Sequence, residues 1–155
     1  FEGDIRARSR LAMHVLVVTG DESAASQCAD VAKSLGHICH LAQTEDDAHK
    51  LMATHSGINL VICDATTSPQ NGLDLICSLH DRSQNGSNFI AILLACQPTV
   101  DLAVKAMRLG VADMLVKPLS GDLLAEAFDR ASLRLIARQA GRIRHISTAA
   151  PSRQR

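Results

Sequence analysis

Aromatic residues are almost absent from this sequence: there is no Trp, no Tyr and only 3 Phe among 155 residues. Single-stranded nucleic acids are bound largely by stacking of bases on aromatic side chains, so this kind of binding is not expected. No apolar run approaches the roughly 18 residues of a membrane-spanning helix, and the charged start has no apolar leader. The 46% hydrophobic content predicts an aliphatic core, and we expect a cytoplasmic protein with no membrane partner.

The 5 cysteines are odd in number and include no Cys-x-x-Cys pair. They lie within apolar stretches, which predicts reduced, buried thiols in a reducing compartment. Cys39 lies between His37 and His40, but this segment has the pattern of a strand, so no metal site is predicted there.

The net charge of zero conceals an uneven distribution of charge along the chain. Residues 14–129 carry six Lys and Arg against fourteen Asp and Glu, whereas residues 130–155 carry seven Arg and no acid. Arg130, Arg134, Arg138 and Arg142 recur every fourth residue, which places them in one row if the segment is helical. This row indicates a linker helix to an output domain, or a basic tail that binds nucleic acid, an anionic partner or another subunit.

Five short apolar runs alternate with five stretches at helical spacing. The runs at 14–18, 37–41, 60–63, 89–95 and 113–116 predict buried strands. The alternation predicts an α/β fold, flavodoxin-like, with three α/β/α layers and a parallel five-stranded sheet. We expect an N-terminal extension at 1–13, one domain at 14–130, and at 131–155 a basic helical extension or linker whose end, from Thr148, is disordered.

Asp64 directly follows the third apolar run and precedes a turn-forming stretch that contains Pro69 and Gly72. In an open parallel sheet, ligands and chemistry gather at the carboxyl ends of the central strands. The residue types alone leave a second interpretation open, in which Asp64 caps the next helix or binds loop amides. Asp64 is therefore the first candidate functional residue.

Taken together, several motifs resemble the receiver domain of two-component response regulators over about residues 14–130. They are Val15-Leu16-Val17-Val18 before a polar loop, Asp64 eight residues before Gly72, Leu102-Ala103-Val104-Lys105-Ala106, and Gly110 seven residues before Lys117-Pro118. The resemblance implies a CheY-like fold with strand order 2-1-3-4-5. It also implies that Asp64 accepts a phosphoryl group from a histidine kinase or phosphotransfer protein, that Lys117 contacts the phosphoryl oxygens and that the Lys117–Pro118 bond is cis. Without the resemblance, Lys117 is a solvated loop lysine.

The sequence departs from the family at the metal site. The two adjacent acids that bind Mg²⁺ in the family are replaced by Thr19 and Gly20, and Asp21 comes one residue late. Because Mg²⁺ prefers carboxylate oxygens, only a weak site formed by Asp21 and Asp64 is predicted. Asp21 is equally suited to cap the following helix.

The residues that relay the signal in the family are also absent. The hydroxyl residue at the end of the fourth strand is replaced by Ala95, and the switch aromatic on the fifth strand by Met114. This pattern predicts a degenerate pseudo-receiver that has kept Asp64 and Lys117, with Lys117 paired directly with Asp64.

Three functions remain open on the sequence alone. The first is a signalling and protein-binding module with impaired Mg-dependent phosphorylation. The second is a working receiver, phosphorylated on Asp64, whose metal site uses Asp21 or Glu22. The third is an aspartyl-phosphate hydrolase, which needs a second acid where Thr66 stands, so no enzyme is expected.

The resemblance also predicts a binding surface formed by the fourth helix, the fifth strand and the fifth helix. We expect it to include Lys105, Met107, Arg108 and Met114 and to bind an output domain, a partner protein or a second copy of the chain. The alternative is an ordinary solvated surface. Nucleic acid is expected as a partner only through an output domain beyond this sequence or through the basic tail.

Overall fold

The computed structural model describes residues 11–66, 69–81 and 89–152, with side chains at 11–66, 71–81 and 89–141. Within these ranges, strands and helices alternate along the chain. They are β1 (His14–Val18), α1 (Glu22–Ser34), β2 (Ile38–Ala42), α2 (Glu45–Thr54), β3 (Leu60–Asp64), α3 (Pro69–Asp81), β4 (Ile90–Ala95), α4 (Val100–Arg108), β5 (Asp113–Val116) and α5 (Gly121–Ser152).

The strands form one parallel sheet in the order β2-β1-β3-β4-β5. The predicted flavodoxin-like, CheY-like fold and its strand order are confirmed. The sheet carries one apolar cluster on each face, because the three central strands alternate their side chains between two layers of helices. One cluster packs α1 and α5 against the sheet, with Phe128 fully buried in it. The other packs α2, α3 and α4 against the opposite face.

Polar side chains define where three of the helices begin. The Asp21 carboxylate accepts hydrogen bonds from the backbone N–H groups of Ser23 and Ala24 at the start of α1. The hydroxyl groups of Thr44 and Thr99 accept from the third residue into α2 and α4. These bonds satisfy N–H groups that have no partner within the helix.

The second strand starts one residue later than predicted, because His37 has a different role. Its Nδ1 accepts a hydrogen bond of 3.0 Å from the Met13 N–H, and its ring packs on Phe128 at a centroid distance of 5.6 Å. A buried imidazole in that position joins the N-terminal segment to α5 rather than extending β2.

Packing extends beyond both edges of the predicted domain. Met13 is fully buried, and the Leu11 N–H donates to Ser132 Oγ over 3.1 Å, so the packed domain begins before residue 14. At the other edge, Leu135 is buried beyond the predicted limit at residue 130. The helix α5 continues through Ser152, where disorder was expected from Thr148; residues 1–10 and 153–155 lie outside the described part of the chain.

A helix that crosses a membrane has to be both long and apolar. None of the helices within the described ranges combines the length and the apolar character that crossing a membrane requires.

Three histidines stack at one edge of the sheet. The His40 ring lies 4.2 Å from that of His55 and 6.5 Å from that of His14, measured between centroids. Burial, and then the two neighbouring imidazoles, hold the pKa of His40 below its ordinary value. The folded chain therefore binds this proton more weakly than the unfolded chain does.

We expect the stack to make the fold sensitive to acid. Because the pKa of His40 is lowered on folding, its stabilising contribution is present above the unfolded-state pKa of about 6.5 and is lost as the pH falls below it. Urea denaturation between pH 7.5 and pH 5 should show a shallower loss of stability for His40→Gln than for the wild type. An identical pH dependence in both proteins would contradict this assignment.

Candidate functional site

The candidate residues meet at the carboxyl edge of the sheet. Asp64 is the last residue of β3, Thr19 follows β1, and Lys117 follows β5. Parallel strands bring all their carboxyl ends to the same edge, so residues distant in sequence become neighbours. The structure thus brings together Asp64, Lys117 and Asp21.

Both carboxylate oxygens of Asp64 are bound by the protein. Oδ1 accepts hydrogen bonds from the backbone N–H of Thr66 at 2.8 Å and from the Thr66 hydroxyl. Oδ2 accepts from the Thr19 hydroxyl at 2.6 Å and from Lys117 Nζ at 2.7 Å. These four bonds match the four lone-pair positions of a carboxylate. The Asp64 side chain is 8% exposed.

Lys117 bridges two acids rather than one. Its Nζ lies 2.7 Å from Asp64 Oδ2 and 2.9 Å from Asp21 Oδ2. Its side chain is 13% exposed, whereas that of Asp21 is 44% exposed. The predicted ion pair between Lys117 and Asp64 is present, and the bridge to Asp21 was not foreseen. The Lys117–Pro118 peptide bond is cis, as the resemblance implied.

The electrostatics of the group favour the charged form of each member. Burial acts to raise the pKa of Asp64, but hydrogen bonds from Lys117, Thr19 and Thr66 outweigh it and hold that pKa below its usual range. The hydrogen bond from Lys117 is the main reason that the pKa of Asp21 is also lowered. Burial acts to lower the pKa of Lys117, but the two carboxylates raise it above its ordinary value. All three side chains are therefore ionised at neutral pH.

The residues predicted to be degenerate have identifiable structural roles. Thr19 is buried; its Oγ1 donates to Asp64 and accepts a hydrogen bond of 3.0 Å from the Asp21 N–H. Ala95 is buried in the apolar cluster below α4, and its carbonyl accepts from the Lys117 N–H at 2.8 Å. Gly20 is exposed, and Met114 packs partly buried against the same cluster as Ala95.

Thr66 was considered only as a missing acid and proved to be a partner of Asp64. A hydroxyl residue two positions after an aspartate is able to close a local turn by bonding the carboxylate. That signal was available in the sequence. The contact with Thr19, by contrast, joins residues on two different strands and required the strand order.

The donor set does not fit a Mg²⁺ ion in this arrangement. Mg²⁺ requires near-octahedral oxygen ligands at about 2.0–2.1 Å. Asp21 and Asp64 accept protein hydrogen bonds at both oxygens, and an ammonium group lies between them. Thr19 and Gly20 contribute no carboxylate. Within the described residues, no group of three or more His, Cys, Asp or Glu side chains is placed to hold a metal.

A cleft of about 380 Å³ opens beside this group, between the start of α1 and the segment after β5. Lys117 and Asp21 line this cleft, whereas Asp64 does not. Its lining consists of Asp21, Ser23, Ala24, Gln27, Cys96, Lys117, Pro118 and Leu119.

Gly72 allows α3 to pack closely against the residue that follows Asp64. A Cβ at this position would lie 2.8 Å from Ala65 Cβ and 3.1 Å from Ala65 Cα. These distances are shorter than carbon atoms normally approach. Ala65 cannot move away easily, because its N–H donates to the Leu94 carbonyl at 2.8 Å.

We expect Gly72→Ala to lower the free energy of unfolding by about 1–3 kcal/mol, as overpacked sites do. The sign is informative, because Gly→Ala in an open helix position normally stabilises by about 0.5–1 kcal/mol. Gly141→Ala is the matched control, since a Cβ there meets nothing within 4 Å. Urea denaturation of both variants would contradict the packing account if Gly72→Ala were stabilising too.

The cysteines differ in exposure more than the sequence indicated. Cys28 and Cys63 are buried, and burial raises the pKa of each thiol to about 12. Cys39 and Cys77 are partly buried. Cys96 is exposed, which corrects the prediction of buried thiols at that position. It follows the last residue of β4 and is itself one of the residues that line the cleft.

The surface formed by α4, β5 and α5, hereafter the α4–β5–α5 face, carries exposed apolar side chains. Val100 and Met107 are 82% and 75% exposed. Lys105 is exposed and forms a 3.1 Å ion pair with Asp101, one turn earlier in α4. Met114, which was also expected on this face, is partly buried and packs against the core.

Several known proteins are similar to this chain in sequence or in fold. Residues 15–129 match the family described as the response regulator receiver domain. The chain is 29% identical over 121 residues to the two-component response regulator PprB of Pseudomonas aeruginosa, covering 78% of this chain and 44% of that protein. It is 33% identical over 104 residues to the Regulator of RpoS of Escherichia coli strain K12, covering 67% of this chain and 30% of that protein.

A solved structure of a response regulator from Thermotoga maritima has a TM-score of 0.70 at 21% identity, covering 78% of this chain and 98% of that one. This likeness concerns the fold. The chain spans less than half the length of the two curated relatives. The receiver match covers most of the chain, from β1 into the first third of α5. The chain therefore belongs to the response regulator receiver domain family of two-component signalling.

Proposed function

We propose that this receiver domain acts mainly as a signalling and protein-binding module whose Mg-dependent phosphorylation on Asp64 is impaired. The observation that carries the proposal is the saturation of Asp64. Each of its oxygens already accepts two hydrogen bonds, from Thr66 on one side and from Thr19 and Lys117 on the other. An attacking carboxylate oxygen needs an available lone pair directed at the phosphorus atom, so these bonds must be rearranged first.

The surroundings of Asp64 also support impaired phosphorylation. Lys117 and Asp21 line the cleft but Asp64 does not, and the Asp64 side chain is 8% exposed. A phosphoryl donor entering the cleft meets a carboxylate and an ammonium that neutralise each other. The site then stays in a single, unphosphorylated state. The domain contributes to signalling by binding partners.

The α4–β5–α5 face is the surface proposed to bind those partners. Its exposed apolar side chains Val100 and Met107 lie beside charged groups on the same helix. Arg130 of α5 pairs with Asp113 of β5 at 2.6 Å, which fixes the helix against the strand at this surface. The proposed partner is an output domain, another protein or a second copy, in the cytoplasm, and no enzymatic turnover is proposed.

The test is the intact mass of the full chain after incubation with a small acyl phosphate, with and without Mg²⁺. Asp64→Asn removes the acceptor, and Asp101→Asn, at an exposed position of α4, serves as a matched control. We expect no gain of mass in the wild type under either condition. A gain of one phosphoryl group that requires both Mg²⁺ and Asp64 would overturn the proposal.

A working phospho-accepting receiver is the second candidate. It is favoured by the placement of Asp64 and Lys117 at the carboxyl edge of the sheet, 2.7 Å apart. In that case Asp21 would have to leave the α1 N-terminus or bind a cation with its Oδ2 alone. The same mass measurement decides between the two candidates. In the second candidate function, a histidine kinase or phosphotransfer protein would be the physiological phosphoryl donor.

A further inference from the structure

We propose that the Lys117 ammonium group is the resident cation of this site and excludes a divalent cation from the space between Asp21 and Asp64. The inference rests on the proposed function, because it gives a reason for the impaired Mg-dependent phosphorylation. It concerns cation binding alone, however, which is measured without any phosphoryl donor.

The two carboxylates are held so that they converge on one nitrogen. Asp21 Oδ1 is held by the N–H groups of Ser23 and Ala24 at the start of α1, and Asp64 Oδ1 is held by Thr66. Their Oδ2 atoms then lie 2.9 Å and 2.7 Å from the same atom, Lys117 Nζ. Each acid is thus fixed through one oxygen while the other faces the ammonium group.

The lysine is held as firmly as the acids. Its backbone N–H donates to the Ala95 carbonyl at 2.8 Å, so the base of the side chain is anchored to the end of β4. The side chain is 13% exposed, which leaves little freedom to rotate into solvent. A divalent cation entering between the acids would meet this fixed positive charge at short range.

The number of acids suits an ammonium group better than Mg²⁺. The carboxylates of Asp21 and Asp64 carry two negative charges and the Lys117 ammonium one positive charge, so the group has a net charge of −1. Asp21 is the partly exposed member of this group. Thr19 binds Asp64 through a neutral hydroxyl, and Gly20 has no side chain. Both positions are therefore neutral. Without further carboxylates there, the site lacks the negative charge and the oxygen ligands that a divalent cation needs.

Direct binding of Mn²⁺, used as a spectroscopic substitute for Mg²⁺, tests the proposal on the full chain. Electron paramagnetic resonance of free Mn²⁺ gives the affinity of the wild type, Lys117→Met, the double variant Lys117→Met/Asp21→Asn, and the control Lys105→Met. We expect Lys117→Met to bind Mn²⁺ at least tenfold more tightly than the wild type, because the two acids lose their counter-charge. The double variant should lose this gain, and Lys105→Met should match the wild type.

A folded Lys117→Met that binds Mn²⁺ no better than the wild type would overturn the proposal, because the ammonium would then not be what excludes the cation. Circular dichroism establishes folding of the variant.

A second measurement needs no variant. In nuclear magnetic resonance spectra of the wild type, addition of Mg²⁺ should leave the backbone amide signals of Asp21, Asp64 and Thr66 in place. Movement of these signals at millimolar Mg²⁺ would overturn the inference. A wild type that binds Mg²⁺ at Asp21 and Asp64 but gains no phosphoryl mass refutes this inference and leaves the proposed function intact.

Discussion

Replacing Lys117 by methionine is expected to lower the free energy of unfolding by about 2–3 kcal/mol at pH 7 in the absence of divalent cations. Exposed ion pairs contribute about 0.2–1 kcal/mol, whereas breaking a buried pair costs about 3–5 kcal/mol. The pair of Lys117 with Asp64 resembles a buried pair more than an exposed one, since the two side chains are 13% and 8% exposed. Asp64 keeps its bonds from Thr19 and Thr66 in the variant, which reduces the cost.

The interaction can be isolated with a double-mutant cycle. Lys117→Met should cost markedly less in an Asp64→Asn background, because no buried carboxylate is then left without its counter-charge. The control Lys105→Met removes an exposed pair within α4 and should cost about 0.5 kcal/mol or less. Equal costs of Lys117→Met in the two backgrounds would mean that the pair with Asp64 does not contribute.

The same cost should depend on pH in a defined direction. The pKa of Asp64 is lowered in the folded chain, so the stabilisation is present above the ordinary carboxyl pKa of about 4 and is lost as the pH falls through the folded value. The difference between wild type and Lys117→Met in urea denaturation should therefore shrink below about pH 4. A difference that is constant down to pH 2.5 would contradict an ionic origin.

Ending the chain after Arg130 is expected to remove about 4 kcal/mol or more of stability, on the basis of costs of about 2–5 kcal/mol for removing one buried leucine. The deletion removes the buried residues Ala131, Ser132 and Leu135. It also removes the Ser132 hydroxyl that accepts the Leu11 N–H, which holds the N-terminal segment to α5. A total stability of about 5–15 kcal/mol is usual, so this loss would leave the domain close to unfolding.

Ending the chain after Gly141 is the matched control. That deletion keeps Leu135 and the bond from Arg138 to the Phe89 carbonyl, and it should change stability by about 1 kcal/mol or less. The midpoint of urea denaturation, followed by circular dichroism, compares the two truncated chains. If both were as stable as the full chain, residues 131–135 would not belong to the folding unit.

The sheet could be predicted from the sequence because its central strands are buried on both faces. Continuous apolar runs such as residues 60–63 are characteristic of such strands, and the alternation with helical stretches then requires parallel order. The placement of Asp64 at the carboxyl edge followed from the same pattern. The pairing of Lys117 with Asp64 came from the family resemblance, since local sequence carries no signal for a contact 53 residues apart.

The parts that could not be predicted depend on the three-dimensional surroundings of single residues. Thr19 was interpreted as a lost metal ligand, and its hydroxyl instead holds Asp64. Asp21 was given two alternative roles, as a metal ligand or as a helix cap. One of its oxygens caps α1, and the other binds Lys117, which neither role included. Whether Cys96 or Met13 is buried depends on how distant elements pack, which composition and periodicity do not specify.

Because α5 is long, a small rotation at its base produces a large displacement at its far end. From Arg138, which is bonded to the start of β4, the helix continues to Ser152 over about 21 Å at 1.5 Å per residue. A tilt of about 5° at its base carries the far end of such a rod sideways by about 2 Å. A small tilt that leaves the packing of Leu135 unchanged thus moves the far end of the helix by more than an atomic radius. That displacement would change the contacts between this end and a neighbouring surface.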